Sequence, residues 1–470
     1  MKPELIPIQG TSDARPKTML NYRMVWRWHF YAGLFTLPFI LILCMSGSVY
    51  LFKPQIEAWL DKPYDQLSHA GPTKPVSQQI QAALDAFPGS TPTGYQLPRN
   101  AQASAQVLVQ QNDKEMRVYV DPWTLVVLHT VPDEDRLMRT VFRLHGELLM
   151  GNRGSNVVEI AASWTIIMIL SGLYLWWPRQ ASGVGGILYP RFTKGWTTGL
   201  RDLHAVIGVW VSLCVLFMLL TGLPWANFWG HYFKAVRQWA GIVSRQDWPI
   251  GSDSSRKKIP GDSDSMGMGM EMGEHTGHSG SHWHHHHSGQ AVDLTAFDRV
   301  FNAAKCVSLD FPVVISPPGG KGNGAAWSVK SLTDNRPRQM TLLVDGNSGE
   351  ILQRQNFQSR PLIDRVVQTC IAAHEGQLFG WPNQVLGLMT ALGLVTLSIT
   401  GTWMWWRRRQ ADALGAPPSG ERSGKPILLA VLIVILAIYL PLFGATVLLV
   451  LILERLLLPL SPRAAKWLGV

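Results

Sequence analysis

Five stretches of about 20 mostly apolar residues dominate the sequence, and each is long enough to cross the hydrocarbon core of a bilayer as a helix. A backbone in lipid has to satisfy its own hydrogen bonds, so runs of this length fold as helices when they span a membrane. Charged residues make up 16% of the 470-residue chain, against roughly 25% in soluble chains. The sequence therefore predicts a mainly α-helical membrane protein with five spans.

These spans divide the chain into a series of regions. They are a cytoplasmic tail (1–28), span 1 (29–52), a periplasmic module (53–144), an outer helix with span 2 (145–177), a cytoplasmic loop (178–203), span 3 (204–230), a second periplasmic module (231–373), an outer helix with span 4 (374–406), a cytoplasmic loop (407–425), span 5 (426–456) and a C-terminal tail (457–470). We expect Pro441 to kink span 5. Arg and Lys concentrate in the tail and loops, which predicts a cytoplasmic N-terminus and, after five spans, a C-terminus outside.

The first four spans belong to an internal repeat. One shift (29 to 204) superimposes His29 on His204, and another (145 to 374) superimposes His145 on His374. The same shifts superimpose shorter motifs: Gly33 on Gly208, Ser46-Gly47 on Thr221-Gly222, Ser171-Gly172 on Thr400-Gly401, Trp176-Trp177 on Trp405-Trp406, and Arg179 on Arg408. Both copies begin on the same side, so the expected fold is a five-span bundle of two parallel span–ectodomain–span repeats.

The four repeated histidines lie near the edges of predicted spans, where an imidazole is costly unless it has a partner. The repeat predicts an inner pair, His29 and His204, and an outer pair, His145 and His374. Two imidazoles leave no open position on haem iron, which suits electron transfer. The pattern therefore predicts two haem b groups, each held by one pair; metal binding without porphyrin and a packing role are the alternatives.

Nearby residues have candidate supporting roles. Gly33 and Gly208 lie about one turn from the inner histidines and leave room for a porphyrin or for close helix contact. Ser46-Gly47 and Thr221-Gly222 are candidates to make room at the outer haem. Glycine-containing breaks after His145 and His374 predict a short helix that carries each histidine, a bend, and then the span. Glu147 and Glu375 are candidates to hydrogen-bond an imidazole.

Each module predicts a small α+β fold. The first has an amphipathic helix (76–87) and strands at 106–111, 115–120 and 125–130; the second has a helix (294–304) and strands at 312–315, 326–330, 340–344 and 350–355. Cys306 and Cys370 fall in the second module, where a disulfide between them is one option.

The second module carries a low-complexity insertion, residues 252–289, rich in Met, Gly, Ser and His. Thioether and imidazole ligands together suit Cu(I), and imidazole alone suits Cu(II), Ni(II) or Zn(II). A flexible linker without metal is the alternative. The candidate ligands are Met266, Met268, Met270, Met272, His275, His278, His282, His284, His285, His286 and His287.

Several function classes are disfavoured. The net charge of +10 lies beside the spans, which argues against a nucleic-acid partner. No nucleotide fingerprint or Ser-His-Asp order is visible, so electrons are expected from a separate donor, either a membrane quinol or a cytoplasmic reductase. We also expect no buried acidic residue in the spans, which argues against an ion-coupled transporter.

Longer motifs carry a family resemblance: Trp28-His29-Phe30-Tyr31-Ala32-Gly33, the segment from Leu144 to Gly151, and the segment from Ser171 to Arg179. Over roughly residues 20–410 the chain resembles the PepSY-associated transmembrane family, and the strands ending at Asp121-Pro122 and Asp345 resemble PepSY modules. The family includes bacterial inner-membrane proteins of iron acquisition, some of which resemble di-haem reductases of ferric siderophores. The resemblance implies His29, His145, His204 and His374 as haem ligands.

The leading hypothesis is an inner-membrane di-haem b oxidoreductase that reduces a periplasmic ferric siderophore or another metal chelate. The alternative is a non-enzymatic, periplasm-facing protein that binds copper or iron or regulates a partner.

Overall fold

The computed structural model describes residues 22–69, 71–112, 114–178, 183–241, 292–318, 326–417, 427–456 and 458–468. The chain forms two compact units. The helical unit comprises Met1–Met45, Asn156–Trp229 and Met389–Val470, and the sheet unit comprises Ser46–Ser155 and Gly230–Leu388. The Met/His-rich insertion and its candidate ligands, Met266 to His287, lie outside the described residues.

Helices account for most of the residues that the structure describes. They are α1 (Tyr22–Leu51), α2 (Lys53–Asp61), α3 (Val76–Ala86), α4 (Leu137–Glu147), α5 (Gly151–Trp176), α6 (Trp196–Gly222), α7 (Asn227–Trp239), α8 (Leu294–Lys305), α9 (Leu362–His374), α10 (Trp381–Arg408), α11 (Ile427–Tyr439), α12 (Pro441–Leu456) and α13 (Pro462–Leu468). In the described residues, five helical stretches are long and apolar enough to cross a membrane: Tyr22–Leu51, Gly151–Trp176, Trp196–Trp225, Trp381–Arg408 and Pro441–Leu460.

The helix boundaries change the setting of the histidines. α1 and α6 begin seven and eight residues before His29 and His204, so the inner pair lies inside long helices rather than at their first residues. His145 and His374 lie in the last turns of α4 and α9. Most of α4 and α9 therefore lies before the outer histidines, within the segments that the sequence analysis assigned to the modules. The chain bends after each of these helices.

Left-handed backbone conformations produce those bends. Between α4 and α5, Leu148, Leu149 and Gly151 have φ angles of 49°, 59° and 61°. Between α9 and α10, Gly376 and Gly380 have φ angles of 75° and 66°. The left-handed region ends a helix because it cannot continue the α-helical hydrogen-bond ladder. This agrees with the predicted order of short helix, bend and span.

The sequence predicted that the fifth span is one helix kinked at Pro441. This prediction is wrong. α11 and α12 are separate helices that pack together, and a methyl group on Gly444 would lie 2.9 Å from Cβ of Ala437. The hairpin returns to its starting end, because the Leu414 N–H donates to the Trp467 carbonyl (2.8 Å). Tyr31 near the start of α1 donates to the Leu468 carbonyl at 2.5 Å. The expectation that the C-terminus lies on the side opposite to the start of α1 is therefore wrong.

The sheet unit contains one antiparallel sheet. Its strands are β1 (Thr91–Gln96), β2 (Ala105–Gln111), β3 (Lys114–Val120), β4 (Val127–Pro132), β5 (Val313–Ser316), β6 (Ala326–Ser331), β7 (Met340–Asp345) and β8 (Ile351–Asn356). Their order is β4-β3-β2-β1-β5-β6-β7-β8. The strands assigned to two separate modules thus join where Tyr95 pairs with Ile315 and Gln96 with Val314.

β1 is the strand that the sequence analysis missed. Pro92 and Gly94 argue against a central strand, and the β1–β2 register does shift between these two residues. A methyl group on Gly94 would lie 3.2 Å from both Leu108 and Val314 on the flanking strands. Glycine at this position therefore permits the close approach of β2 and β5.

The two faces of the sheet differ. α3 and α8 cover one face with an apolar core that includes Ile80, Phe297 and Val300, all fully buried. The other face carries Arg117, which is only 1% exposed and donates to Asp133, Gln96 and Gln106. A buried charge needs this many partners because desolvation costs several kcal/mol.

Candidate functional site

The inner histidines face each other within the helical unit. α1 and α6 carry His29 and His204, whose ring centroids are 6.4 Å apart with planes 89° apart. Two imidazoles that share one metal through bonds of about 2 Å have centroids about 6.3 Å apart. The inner pair therefore has the separation expected of two ligands on one metal ion.

Hydrogen bonds determine which nitrogen of each inner imidazole faces inward. Nδ1 of His204 lies 2.9 Å from the Thr400 hydroxyl, which donates its own hydrogen to the Thr396 carbonyl. While Thr400 makes that bond its oxygen acts as an acceptor, and this pairing corresponds to the His204 tautomer with the proton on Nδ1 and the lone pair on Nε2. Nδ1 of His29 lies 2.9 Å from the Met168 carbonyl, which is likewise an acceptor. Such partners orient imidazole ligands of metals.

The partners of the two inner histidines correspond under the repeat. Ser171, which lies 3.1 Å from Nδ1 of His29, corresponds to Thr400. The next residue in each copy is a glycine against the imidazole edge. A methyl group would lie 3.0 Å from Cε1 of His29 at Gly172, and 3.3 Å from Cε1 of His204 at Gly401. The internal repeat makes these motifs equivalent in the sequence, but it does not reveal that they contact the histidines.

Gly33 and Gly208 have looser surroundings. A methyl group on Gly33 would meet the Met168 sulfur at 3.8 Å, and one on Gly208 would meet Leu397 at 3.7 Å. These are ordinary contact distances, so the residues do not themselves press on an imidazole.

The outer histidines face each other within the sheet unit. The ring centroids of His145 and His374 are also 6.4 Å apart, with planes 77° apart. Ser46 lies 3.1 Å from Nδ1 of His145, and a methyl group on Gly47 would lie 3.0 Å from Cε1 of the same ring. The sequence motif Ser46-Gly47 therefore contacts the outer pair.

A polar cluster follows His374. Arg336 donates to Gln368 at 3.1 Å and to Glu375 at 3.5 Å. Three buried atoms of this cluster have no hydrogen-bond partner: Nε of Arg336, Nε2 of Gln368 and Oε2 of Glu375. Burial raises the pKa of Glu375 although the Arg336 guanidinium opposes the shift. The Glu375 carboxylate thus pairs with Arg336, not with an imidazole as the sequence suggested.

The ligand sets fit haem better than a metal bound by protein alone. In the described residues no group of three or more His, Cys, Asp or Glu side chains could hold a metal ion, so each histidine pair stands as a two-nitrogen set. A porphyrin supplies the remaining ligands of an iron bound by two imidazoles. The donors of Arg336 and Gln368 that have no partner among the described residues belong to the cluster of Glu375, the residue after His374, and are of the kind that a carboxylate-bearing group satisfies.

Other candidate residues have different surroundings. Cys306 and Cys370 are both free, so they do not form a disulfide. The structure also reveals Glu159 in α5, which is only 1% exposed. The expectation that the spans contain no buried acidic residue is therefore wrong. Glu159 lies within the predicted span 2, and this break in its apolar run was the signal available in the sequence.

Comparison with known proteins gives one informative match. A search of curated proteins finds none that matches the chain. Residues 26–408 match the family described as the PepSY-associated TM region, which covers both histidine pairs and the complete sheet. The chain therefore belongs to the family of PepSY-associated transmembrane regions.

Proposed function

We propose that this protein is a membrane oxidoreductase with two haem b groups that delivers electrons to a ferric chelate, such as a siderophore complex. The observation that carries the proposal is the same centroid separation, 6.4 Å, in both histidine pairs. One coincidental encounter of two histidines would be unremarkable. Two encounters with the spacing of shared metal ligands, at positions related by an internal repeat, favour two metal centres.

Each pair has a defined task in this proposal. His29 and His204 would hold one haem, and His145 and His374 the second. A haem with two imidazole ligands accepts and releases one electron without opening a coordination position to oxygen. The Met168 carbonyl and the Thr400 hydroxyl hold the inner imidazoles in the tautomer that leaves Nε2 free. Gly172, Gly401 and Gly47 leave the ring edges of His29, His204 and His145 uncrowded.

The proposed product explains why reduction would release iron. A ferric chelate that gains one electron becomes a ferrous chelate, and the softer, less charged ion is held less tightly by hard oxygen ligands. The Met/His-rich insertion makes a copper complex a second candidate substrate, since its thioether and imidazole groups suit Cu(I).

The proposed location is the bacterial inner membrane, with the start of α1 in the cytoplasm and the sheet unit in the periplasm. The hairpin of α11 and α12 then returns the C-terminus to the cytoplasmic side. A C-terminal green fluorescent protein fusion is expected to fluoresce and a C-terminal alkaline phosphatase fusion to be inactive. Active phosphatase at that position would contradict the proposed orientation.

Visible spectroscopy of the purified chain tests the function. With haem supplied during expression, we expect a low-spin b-type spectrum and about two haems per chain. His29→Ala and His374→Ala should each lose one haem and abolish reduction of a ferric hydroxamate, measured with a ferrous-selective dye. The matched control is His129→Ala, because His129 stacks on Tyr64 with centroids 5.2 Å apart and belongs to neither pair. Wild-type protein without a Soret band would refute the proposal.

A further inference from the structure

Glu159 is a buried carboxylate with one oxygen for which neither helix packing nor the proposed haem sites account. Its Oε2 accepts the N–H of Trp229 at 3.0 Å, and the carboxylate also accepts the N–H of Phe228. These bonds satisfy the first turn of α7. Its Oε1 is buried and has no hydrogen-bond partner in the part of the chain that the structure describes. An uncompensated carboxylate oxygen inside a membrane protein is costly, so a ligand that donates a hydrogen bond to it would be stabilised there.

Aromatic side chains join the hairpin to α7, whose first turn bonds Glu159, and to α5. Trp229 packs against Tyr439 at 5.6 Å between ring centroids, and its indole N–H donates to the Tyr439 carbonyl at 2.9 Å. On the next turns of α5, Trp164 packs against Phe443 at 5.3 Å and donates to Thr446 at 3.0 Å. The tip of the α11–α12 hairpin therefore closes over the segment of α5 that carries Glu159.

The hairpin lies beyond the family match, which ends at residue 408. Its other surface is apolar and exposed, as expected of a face toward lipid; Ile435, Ile438, Leu448 and Ile452 are each more than half exposed. A molecule dissolved in the bilayer would therefore meet the hairpin before it met Glu159.

The chemistry of the free oxygen restricts its ligand. A hard cation needs six or more oxygen ligands, and among the described residues no acidic or histidine cluster accompanies Glu159. Glu159 has no basic side chain among its hydrogen-bond partners. Oε1 of Glu159 therefore needs a ligand that donates a hydrogen bond and that enters from the lipid past aromatic side chains. A hydroxyl group on an apolar ring has both properties.

We propose that Glu159 binds a hydroxyl group of a membrane hydroquinone, which is the electron donor of this protein. The inference rests on the proposed function for the fate of the electrons. The hydroquinone becomes the quinone as it loses two electrons and two protons. The carboxylate of Glu159 accepts one proton, and the second leaves to solvent. The two electrons finally reduce two ferric chelates to two ferrous chelates.

The position of Glu159 suits a donor site for the inner pair. Met168, whose carbonyl binds His29, lies nine residues further along α5. At 1.5 Å per residue this is about 14 Å along the helix axis. The sequence left two candidate electron donors, a membrane quinol and a cytoplasmic reductase. The proposed site favours the quinol.

The test uses the full haem-loaded chain in phospholipid nanodiscs with decylubiquinol and a short-chain menaquinol as probes. In Glu159→Gln we expect quinol-driven haem reduction at least ~100-fold slower, since a general base is lost. Binding of a phenolic quinol analogue that cannot be oxidised to a quinone should weaken about tenfold, while reduction by dithionite stays unchanged. The matched control is Glu454→Gln, which removes an exposed carboxylate from α12. Wild-type rates in Glu159→Gln would overturn the proposal.

A second measurement covers the case in which Glu159→Gln does not assemble. A photoreactive azidoquinone, reduced to its quinol before it is added to wild-type protein, should label residues of α5, α7 or the α11–α12 hairpin around Glu159, as identified by mass spectrometry. Labelling elsewhere, or none, would overturn the proposal, because a buried water would then be the partner of Oε1. Quinone labelling needs no haem, so a chain without a Soret band refutes the proposed function but leaves this site testable.

Discussion

The inner and outer histidine pairs have the same ring separation but are held in different ways. The inner histidines lie inside long apolar helices, and their Nδ1 atoms contact Met168 and Thr400 on other spans. The outer histidines lie at the ends of the short helices α4 and α9, which charged pairs anchor to the sheet unit. Arg136 bonds Glu57 at 3.1 Å beside the start of α4, and Arg237 bonds Asp364 at 3.1 Å in the first turn of α9.

This difference shows that one repeat can form two kinds of site. The inner geometry follows from the packing of span against span, where small residues and hydroxyl groups contact the imidazole directly. The outer geometry depends on charged pairs, of which Arg237 and Asp364 are buried and Arg136 and Glu57 partly buried. Loss of one such partner is far more costly than loss of one hydroxyl group. Substitutions should therefore separate the two sites.

The largest expected effect is on the outer site alone. Asp364 and Arg237 have side chains that are 1% and 7% exposed, so Asp364→Ala leaves a buried guanidinium without its acidic partner. We expect a loss of about 3–5 kcal/mol in the stability of the sheet unit. His374 should then lose its position, so that the protein retains one haem of two while the inner spectrum persists.

The matched control for this prediction is Asp310→Ala. Asp310 pairs with Arg338 at 3.0 Å, but these side chains are 40% and 66% exposed. Exposed pairs contribute little, so the melting temperature and haem content should stay close to the wild-type values. Equal loss of both haems in Asp364→Ala, measured by pyridine haemochrome and redox titration, would contradict the separation of the sites.

The next largest effect is expected from replacing the glycines that contact the imidazoles, which should weaken haem binding at one site at a time. Gly172→Ala brings a methyl group to 3.0 Å from His29, and Gly47→Ala brings one to 3.0 Å from His145. Overpacking of this kind costs about 1–3 kcal/mol. We therefore expect weaker haem binding at the inner site alone in the first variant and at the outer site alone in the second.

Gly33→Ala is the control for the glycine series, because its methyl group would lie 3.8 Å from the nearest side chain. It should leave haem content unchanged and could stabilise α1 by up to about 1 kcal/mol through helix propensity. Haem loss in Gly33→Ala comparable to that in Gly172→Ala would show that the imidazole contact is not the cause.

The sequence predicted the features that depend on local patterns and missed those that depend on contacts between residues far apart in the chain. Long apolar runs predicted the first four spans, and alternating residues predicted seven of the eight strands, because both patterns are local. β1 was missed because Pro92 and Gly94 disfavour a strand locally, whereas the sheet needs Gly94 between Leu108 and Val314. Joining of the modules through β1 and β5 is a long-range pairing with no local signal.

The candidate site shows the same limit. The repeat was sufficient to pair the histidines, because duplicated positions occupy equivalent places in each copy. It did not show that Ser171 and Thr400 contact them, since those contacts join different spans. The hairpin of α11 and α12 has no repeat counterpart, and its return was invisible in hydropathy because both arms are apolar. Glu159 was visible in the sequence, but its burial follows from tertiary packing.

The smallest expected effect concerns the hydroxyl groups of the inner site. Ser171→Ala removes an oxygen 3.1 Å from Nδ1 of His29 but leaves the Met168 carbonyl at 2.9 Å. The tautomer should therefore persist, and the lost hydrogen bond should cost about 0.5–1.5 kcal/mol. We expect full haem content, at most about tenfold weaker haem affinity in competition with apomyoglobin, and a small shift in midpoint potential. Complete loss of the inner haem would mean that the hydroxyl, rather than the main-chain carbonyl, orients His29, and the contrast between span-held and charge-held sites would then weaken.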